Sequence, residues 1–255
     1  MSLSNFHTHT LYCDGKNSLR ELVEKAITLG CDKIGFSGHS YTETGDAEPY
    51  CMSLEDTEKY KAEINMLKEE YKGKIDIFSG IERDYFFKDG TDGYDYSIGS
   101  VHYVFKDGVY IPIDESKENQ IKAVMEHYDG DFYAFAEDYY ELVGDVYNKT
   151  KCDIVGHFDL ITKFNENNCL FDTENKRYVN AATKALNKLI GKGLYFEINY
   201  GAIARGYRTS PYPEQWIVDI LKSNNEKIVY SSDCHDKEYL LFGIEKENDF
   251  TPRGC

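Results

Sequence analysis

The chain has 255 residues, with 29 Lys plus Arg against 45 Asp plus Glu, a net charge of −16. That balance repels a nucleic-acid backbone or an anionic membrane, so neither is expected as a main partner, although placed cations can still invert the field locally for a phosphate. No apolar run is long enough to cross a bilayer and the N-terminus does not read as a signal peptide, which predicts a soluble, cytoplasmic protein. The length suits one α/β barrel occupying residues 1–255. Seven cysteines (Cys13, Cys31, Cys51, Cys152, Cys169, Cys234, Cys255) are odd in number and hold no C-x-x-C pair, so they are expected as reduced thiols.

The first predicted strand, 4–9, contains His7 and His9. A strand turns alternate side chains to one face, so these imidazoles stand about 6.8 Å apart at their backbones and can converge on one ion. Asp14 and Gly15 then turn the chain into a helix over 18–30, which opens on a Ser18/Glu21 capping box and stops at Gly30. Strand 33–39 ends in His39, helix 53–72 follows, and strand 75–82 ends in Glu82. Strand 96–102 ends in His102. Helical segments over 116–128 and 131–150 come next, the second with Phe132, Phe135, Tyr139, Leu142, Val143 and Val146 on one face. Strand 153–157 ends in His157, helix 173–192 leads to strand 194–199, and helix 212–224 leads to strand 228–233, which ends in Asp233 with His235 just beyond.

Strands alternating with helices imply a parallel sheet, and seven of them at this length predict a distorted (β/α)7, TIM-like barrel whose chemistry sits at the carboxyl ends of its strands. The ligand-type residues collect there. Six imidazoles (His7, His9, His39, His102, His157, His235) and three carboxylates (Asp14, Glu82, Asp233) make nine nitrogen and oxygen donors on one rim. Such a set without thiolate suits two or three divalent ions such as Zn, Mn or Fe(II). His127 is expected mid-helix at the surface. Cys13 and Cys234 adjoin candidate ligands but lie one position off the converging face, as packing thiols.

In order, the motifs H-T-H, D-G, G-H-S, G-I-E, S-V-H, G-H-x-D and S-D-x-H resemble the polymerase and histidinol phosphatase (PHP) superfamily from residue 5 to about 245. Length and later loops look most like the stand-alone histidinol phosphatases. The resemblance implies a trinuclear centre with His7, His9, Glu82 and Asp233 on one ion, Glu82, His102 and His157 on a second, and Asp14, His39 and His235 on a third, Glu82 bridging.

Two cations about 3.5–4 Å apart lower the pKa of a bridging water and clamp phosphoryl oxygens, so a metal-dependent phosphomonoesterase follows. Asp233 and His235 are the candidates to relay a proton to the leaving oxygen. Arg205 and Lys163 are the candidate phosphate-binding cations, with Arg208 and Asn199 in the same pocket. The expected ligand is a small phosphorylated metabolite, histidinol phosphate first, as a step of histidine biosynthesis. Another phosphomonoester, phosphotyrosine, or a non-catalytic metal-binding domain stay open as alternatives; nuclease action is disfavoured by the charge.

Overall fold

A computed structural model describes residues 3–42, 44, 50–88 and 93–252; Cys255 and the first two residues lie outside them. Its strands are β1 (Ser4–Asn5), β2 (Lys33–Phe36), β3 (Asp76–Asp84), β4 (Tyr96–Ser100), β5 (Tyr103–Lys106), β6 (Val109–Pro112), β7 (Ile154–Val155), β8 (Tyr195–Asn199) and β9 (Lys227–Ser231). The helices are α1 (Leu19–Thr28), α2 (Leu54–Glu70), α3 (Lys117–His127), α4 (Phe132–Thr150), α5 (Lys176–Leu189), α6 (Gly201–Ala204) and α7 (Gln215–Ser223).

Seven strands pair in parallel in the order β1-β2-β3-β4-β7-β8-β9. The two edges then meet at one bridge, Thr8 to Cys234, where His9 N donates to Cys234 O at 2.8 Å and Cys234 N to His7 O at 2.9 Å. This is the expected seven-stranded α/β barrel, nearly closed. No helix among the described residues is long and apolar enough to cross a membrane.

Strand period fixes what faces inward. Along β3, Phe78, Gly80 and Glu82 share a face; Phe78 packs inside the barrel with Phe6, Tyr96, Ile98, Ile154, Val229 and Phe250. Gly80 is required there, because a Cβ would stand 2.2 Å from the Tyr96 ring. The alternate residues Ile77 and Ile81 face outward into the cluster formed with α1 and α2. Apolar packing therefore fills one end of the interior and leaves the carboxyl ends of the strands to polar side chains.

The caps follow the sequence. Ser18 Oγ accepts from Glu21 N and Glu21 Oε2 accepts from Ser18 N, starting α1; Asp131 Oδ1 accepts from Tyr133 N and Ala134 N, starting α4. Most elements are shorter than expected. The strand read as 4–9 is regular only at 4–5, because the chain beyond it bends to bridge both Cys234 and, through Thr8 O, the Ser37 amide. His127 ends α3 and faces Asp107 rather than sitting mid-helix. The antiparallel hairpin β5–β6 was not expected; Asp107 (φ 51°) and Gly108 (φ 83°) form its tight turn.

Candidate metal centre

All nine expected donors converge at the carboxyl ends of the strands, around Glu82, which ends buried on β3. Its two oxygens divide the histidines. Oε1 faces His157 Nε2 at 2.9 Å and His102 Nε2 at 3.4 Å, and Ser100 Oγ donates to it at 2.6 Å. Oε2 faces His39 Nδ1 at 3.0 Å, His7 Nε2 at 3.2 Å and His9 Nε2 at 3.5 Å.

Asp233 Oδ1 lies 3.2 Å from His9 Nε2 and 3.6 Å from His7 Nε2. Asp14 reaches His235 Nε2 at 3.2 Å, His9 Nδ1 at 3.6 Å and His39 Nε2 at 3.7 Å. Four groups have donor atoms within 4.8 Å of one another: His7/His9/Asp233, His7/Glu82/His157, His39/Glu82/His102, and His9/Asp14/His39/His235. His9 thus stands between two groups, and His102 and His157 fall in separate ones although both face the same Glu82 oxygen.

Electrostatics shows what the cage is built to hold. Burial alone would push Glu82 up, yet His7, His39 and His102 hold it well below the usual carboxylate range. Asp233 is held low in the same way, against burial, by Arg205 and His7. Against the pull of burial, Glu82 and Asp84 lift His102 to about 9, while burial with His235 and His39 nearby lowers His9 to about 3. The carboxylates are ionised and draw positive charge to the centre. His7 Nε2, His9 Nε2, Asp14 Oδ1 and Glu82 Oε2 are buried without a hydrogen-bond partner. Unpaired buried donors and acceptors are costly, and divalent ions satisfy all four at once, so the residues fit a multi-metal centre. The Cys13 thiol lies 3.6 Å from His9 Nδ1 but is pushed up to about 12 by burial and Asp14, so it stays protonated.

Behind the donors stand residues that sequence reasoning missed. Glu197, on the inward face of β8, takes His7 Nδ1 at 2.6 Å and accepts from His157 N at 2.9 Å and from Ser231 Oγ. Asp84, two residues past Glu82 on the same face, lies 3.3 Å from His102 Nδ1 and accepts from His102 N. A charged residue inside an otherwise apolar parallel strand was the available signal for both.

The cage opens into a cavity of about 500 Å³, walled further by Arg205, Lys163, Asp114, Glu115, Tyr103 and Tyr207. Arg205 donates from Nη2 to Asp233 Oδ2 at 2.9 Å and from Nη1 to Asp233 O at 3.1 Å, with His235 Nδ1 at 2.8 Å. Lys163 donates to Asp114. The other two expected pocket residues lie elsewhere. Asn199 is fully buried, donating to Glu197 Oε2 and accepting from Gly201 N, because β8 ends there with its side chain turned into the barrel. Arg208 is held by Thr162 and Ser210 and lies over the Tyr212 ring, away from the cavity wall.

Comparison with known proteins places this arrangement. The histidinol-phosphatase of Bacillus subtilis is 28% identical over 264 residues, covering 94% of this chain and 96% of that one. A solved structure from Listeria monocytogenes superposes with a TM-score of 0.79 at 22% identity, over 94% of this chain and 98% of that one. The histidinol phosphate phosphatase of Lactococcus lactis, solved with zinc, L-histidinol and phosphate, gives 0.65 at 20% identity, over 92% and 87% of the two chains. Residues 5–201 match the PHP domain, and the chain therefore belongs to the PHP family as a metal-dependent, histidinol-phosphatase-like phosphoesterase.

Proposed function

We propose that the protein hydrolyses histidinol phosphate to histidinol and inorganic phosphate, with two or three divalent ions, zinc or manganese, held by His7, His9, Asp14, His39, Glu82, His102, His157, Asp233 and His235. The observation that carries this reading is the division of five imidazoles between the two oxygens of buried Glu82, with four cage atoms lacking any other partner. The name of the Bacillus relative and the histidinol and phosphate in the Lactococcus structure support the substrate.

When bound, the ions would supply an activated water and a clamp on the phosphoryl oxygens. The chain supplies the rest. Arg205, fixed on Asp233, presents its guanidinium at the cavity wall where charge develops on those oxygens. Asp233, held ionised, accepts the proton shed by the attacking water through Oδ1, and His235 Nδ1, 3.4 Å away, relays a proton toward the leaving oxygen. Lys163 offers a second cation on the opposite wall.

Phosphate release from a panel of phosphomonoesters by zinc- or manganese-reconstituted protein tests this. Histidinol phosphate should give the highest kcat/KM. Preference for another ester, including phosphotyrosine, would keep the chemistry and replace the substrate; no turnover on any would leave a metal-binding domain without catalysis.

A further inference from the structure

Lys163 faces the cavity already engaged. Its Nζ donates to Asp114 Oδ2 at 2.9 Å and to the Asp114 main-chain oxygen at 2.8 Å, and it lies over the rings of Tyr207 and Phe164 at 5.1 and 5.5 Å. Three segments meet at this ammonium: the return from hairpin β5–β6, the turn after β7 and the loop after α6. The pair is largely shielded, with the Lys163 side chain 10% exposed. Glu115, next to Asp114, lines the same wall and makes no ion pair among the described residues.

A simple phosphate that reaches Lys163 arrives beside Asp114, and repulsion between the anions offsets part of the attraction. A ligand that carries an ammonium as well as a phosphoryl group meets a different balance. Its anion takes Lys163, its cation takes Asp114 with Glu115 behind, and neither charge of the original pair is left shielded from water without a counter-ion.

We infer that the Lys163–Asp114 pair is the specificity-determining receptor of this cavity, selecting phosphomonoesters whose leaving group bears an ammonium. The inference rests on the phosphomonoesterase reading and narrows its substrate class to zwitterionic esters. Asp114 rather than the metal cage then decides which ester is preferred.

Phosphonates test it without turnover, because their carbon–phosphorus bond is not hydrolysed by this chemistry. Zinc-loaded protein is titrated calorimetrically with 3-aminopropylphosphonate and with propylphosphonate. The amino compound should bind about tenfold tighter, the size of one charge-assisted contact. That ratio should fall to about one in Asp114→Asn and persist in Asp114→Glu. If Asp114→Asn does not fold, Lys163→Met reads the same balance from the other side: with the cation gone, the remaining carboxylate repels the plain phosphonate more and the ratio should widen. Equal affinities in the wild-type protein, a preference that survives Asp114→Asn, or a ratio that narrows in Lys163→Met would overturn the inference alone. Binding of neither phosphonate would overturn the phosphomonoesterase reading and the inference together.

Discussion

Glu197 Oε1 lies 2.6 Å from His7 Nδ1, and both side chains are shut inside the barrel. The contact places the proton on Nδ1 and turns the Nε2 lone pair toward Glu82 and Asp233. The same carboxylate also fixes the His157 main chain and the Ser231 hydroxyl, so one side chain sets the aim of donors from two strands.

Glu197→Gln keeps the size of the side chain and removes its charge. Zinc affinity should fall about 10–100-fold, the usual effect of losing a carboxylate behind a metal-bound imidazole. Competition against a coloured chelator measures it; an unchanged dissociation constant would leave Glu197 a packing residue.

Arg205→Ala should raise KM about 10–100-fold, since a charged hydrogen-bond donor to the phosphoryl group contributes about 1.5–3 kcal/mol. It should also loosen metal, because Asp233 loses its guanidinium clamp. Lysine at this position should not restore the wild-type value, because it offers a point charge in place of a planar fork. Steady-state kinetics with metal analysis of both variants separates the effects.

Metal affinity should climb as pH rises from 6 to 9. In the metal-free cage His7 and His39 titrate above their ordinary value and His102 at about 9, because neighbouring carboxylates outweigh burial. Groups with raised pKa carry protons below it, and an incoming cation must displace them, so binding releases protons and strengthens as the histidines become neutral. Titrations in buffers of different ionisation enthalpy count the protons; an affinity independent of pH would contradict these assignments.

Iodoacetamide at pH 8 should modify exposed Cys169 well before Cys13 or Cys234. Burial pushes both of the latter thiols up to about 12, which on thiolate fraction alone slows them about 10³-fold relative to an ordinary cysteine. Peptide mapping against time gives the order. Early labelling of Cys13 would mean that the cage opens.

The donors were legible in the sequence because a parallel barrel presents strand ends on one rim, so residues as distant as His7 and His235 share an address that can be read from local pattern. Glu197 and Asp84 escaped because their role depends on which residue stands across the barrel, and that is set by register rather than by neighbours in the chain. Hairpin β5–β6 carried a readable signal in Asp107-Gly108 between Tyr103–Lys106 and Val109–Pro112. Asn199 and Arg208 were misplaced for the opposite reason: polar residues after a strand suggest a pocket, but here they face inward to hold Glu197 and the loop around Tyr212.

The seam between Thr8 and Cys234 dictates when the site can come into being. Asn5 Nδ2 donates to Ser232 Oγ across 227 positions of sequence, beside the same closure. During synthesis His9 emerges almost at once, yet its partner Asp233 is not available until the ribosome has released nearly everything else. Assembly of the centre is therefore among the last events of folding, and a chain stopped short of its final strand would carry most of the histidines and none of the enclosure that makes them converge.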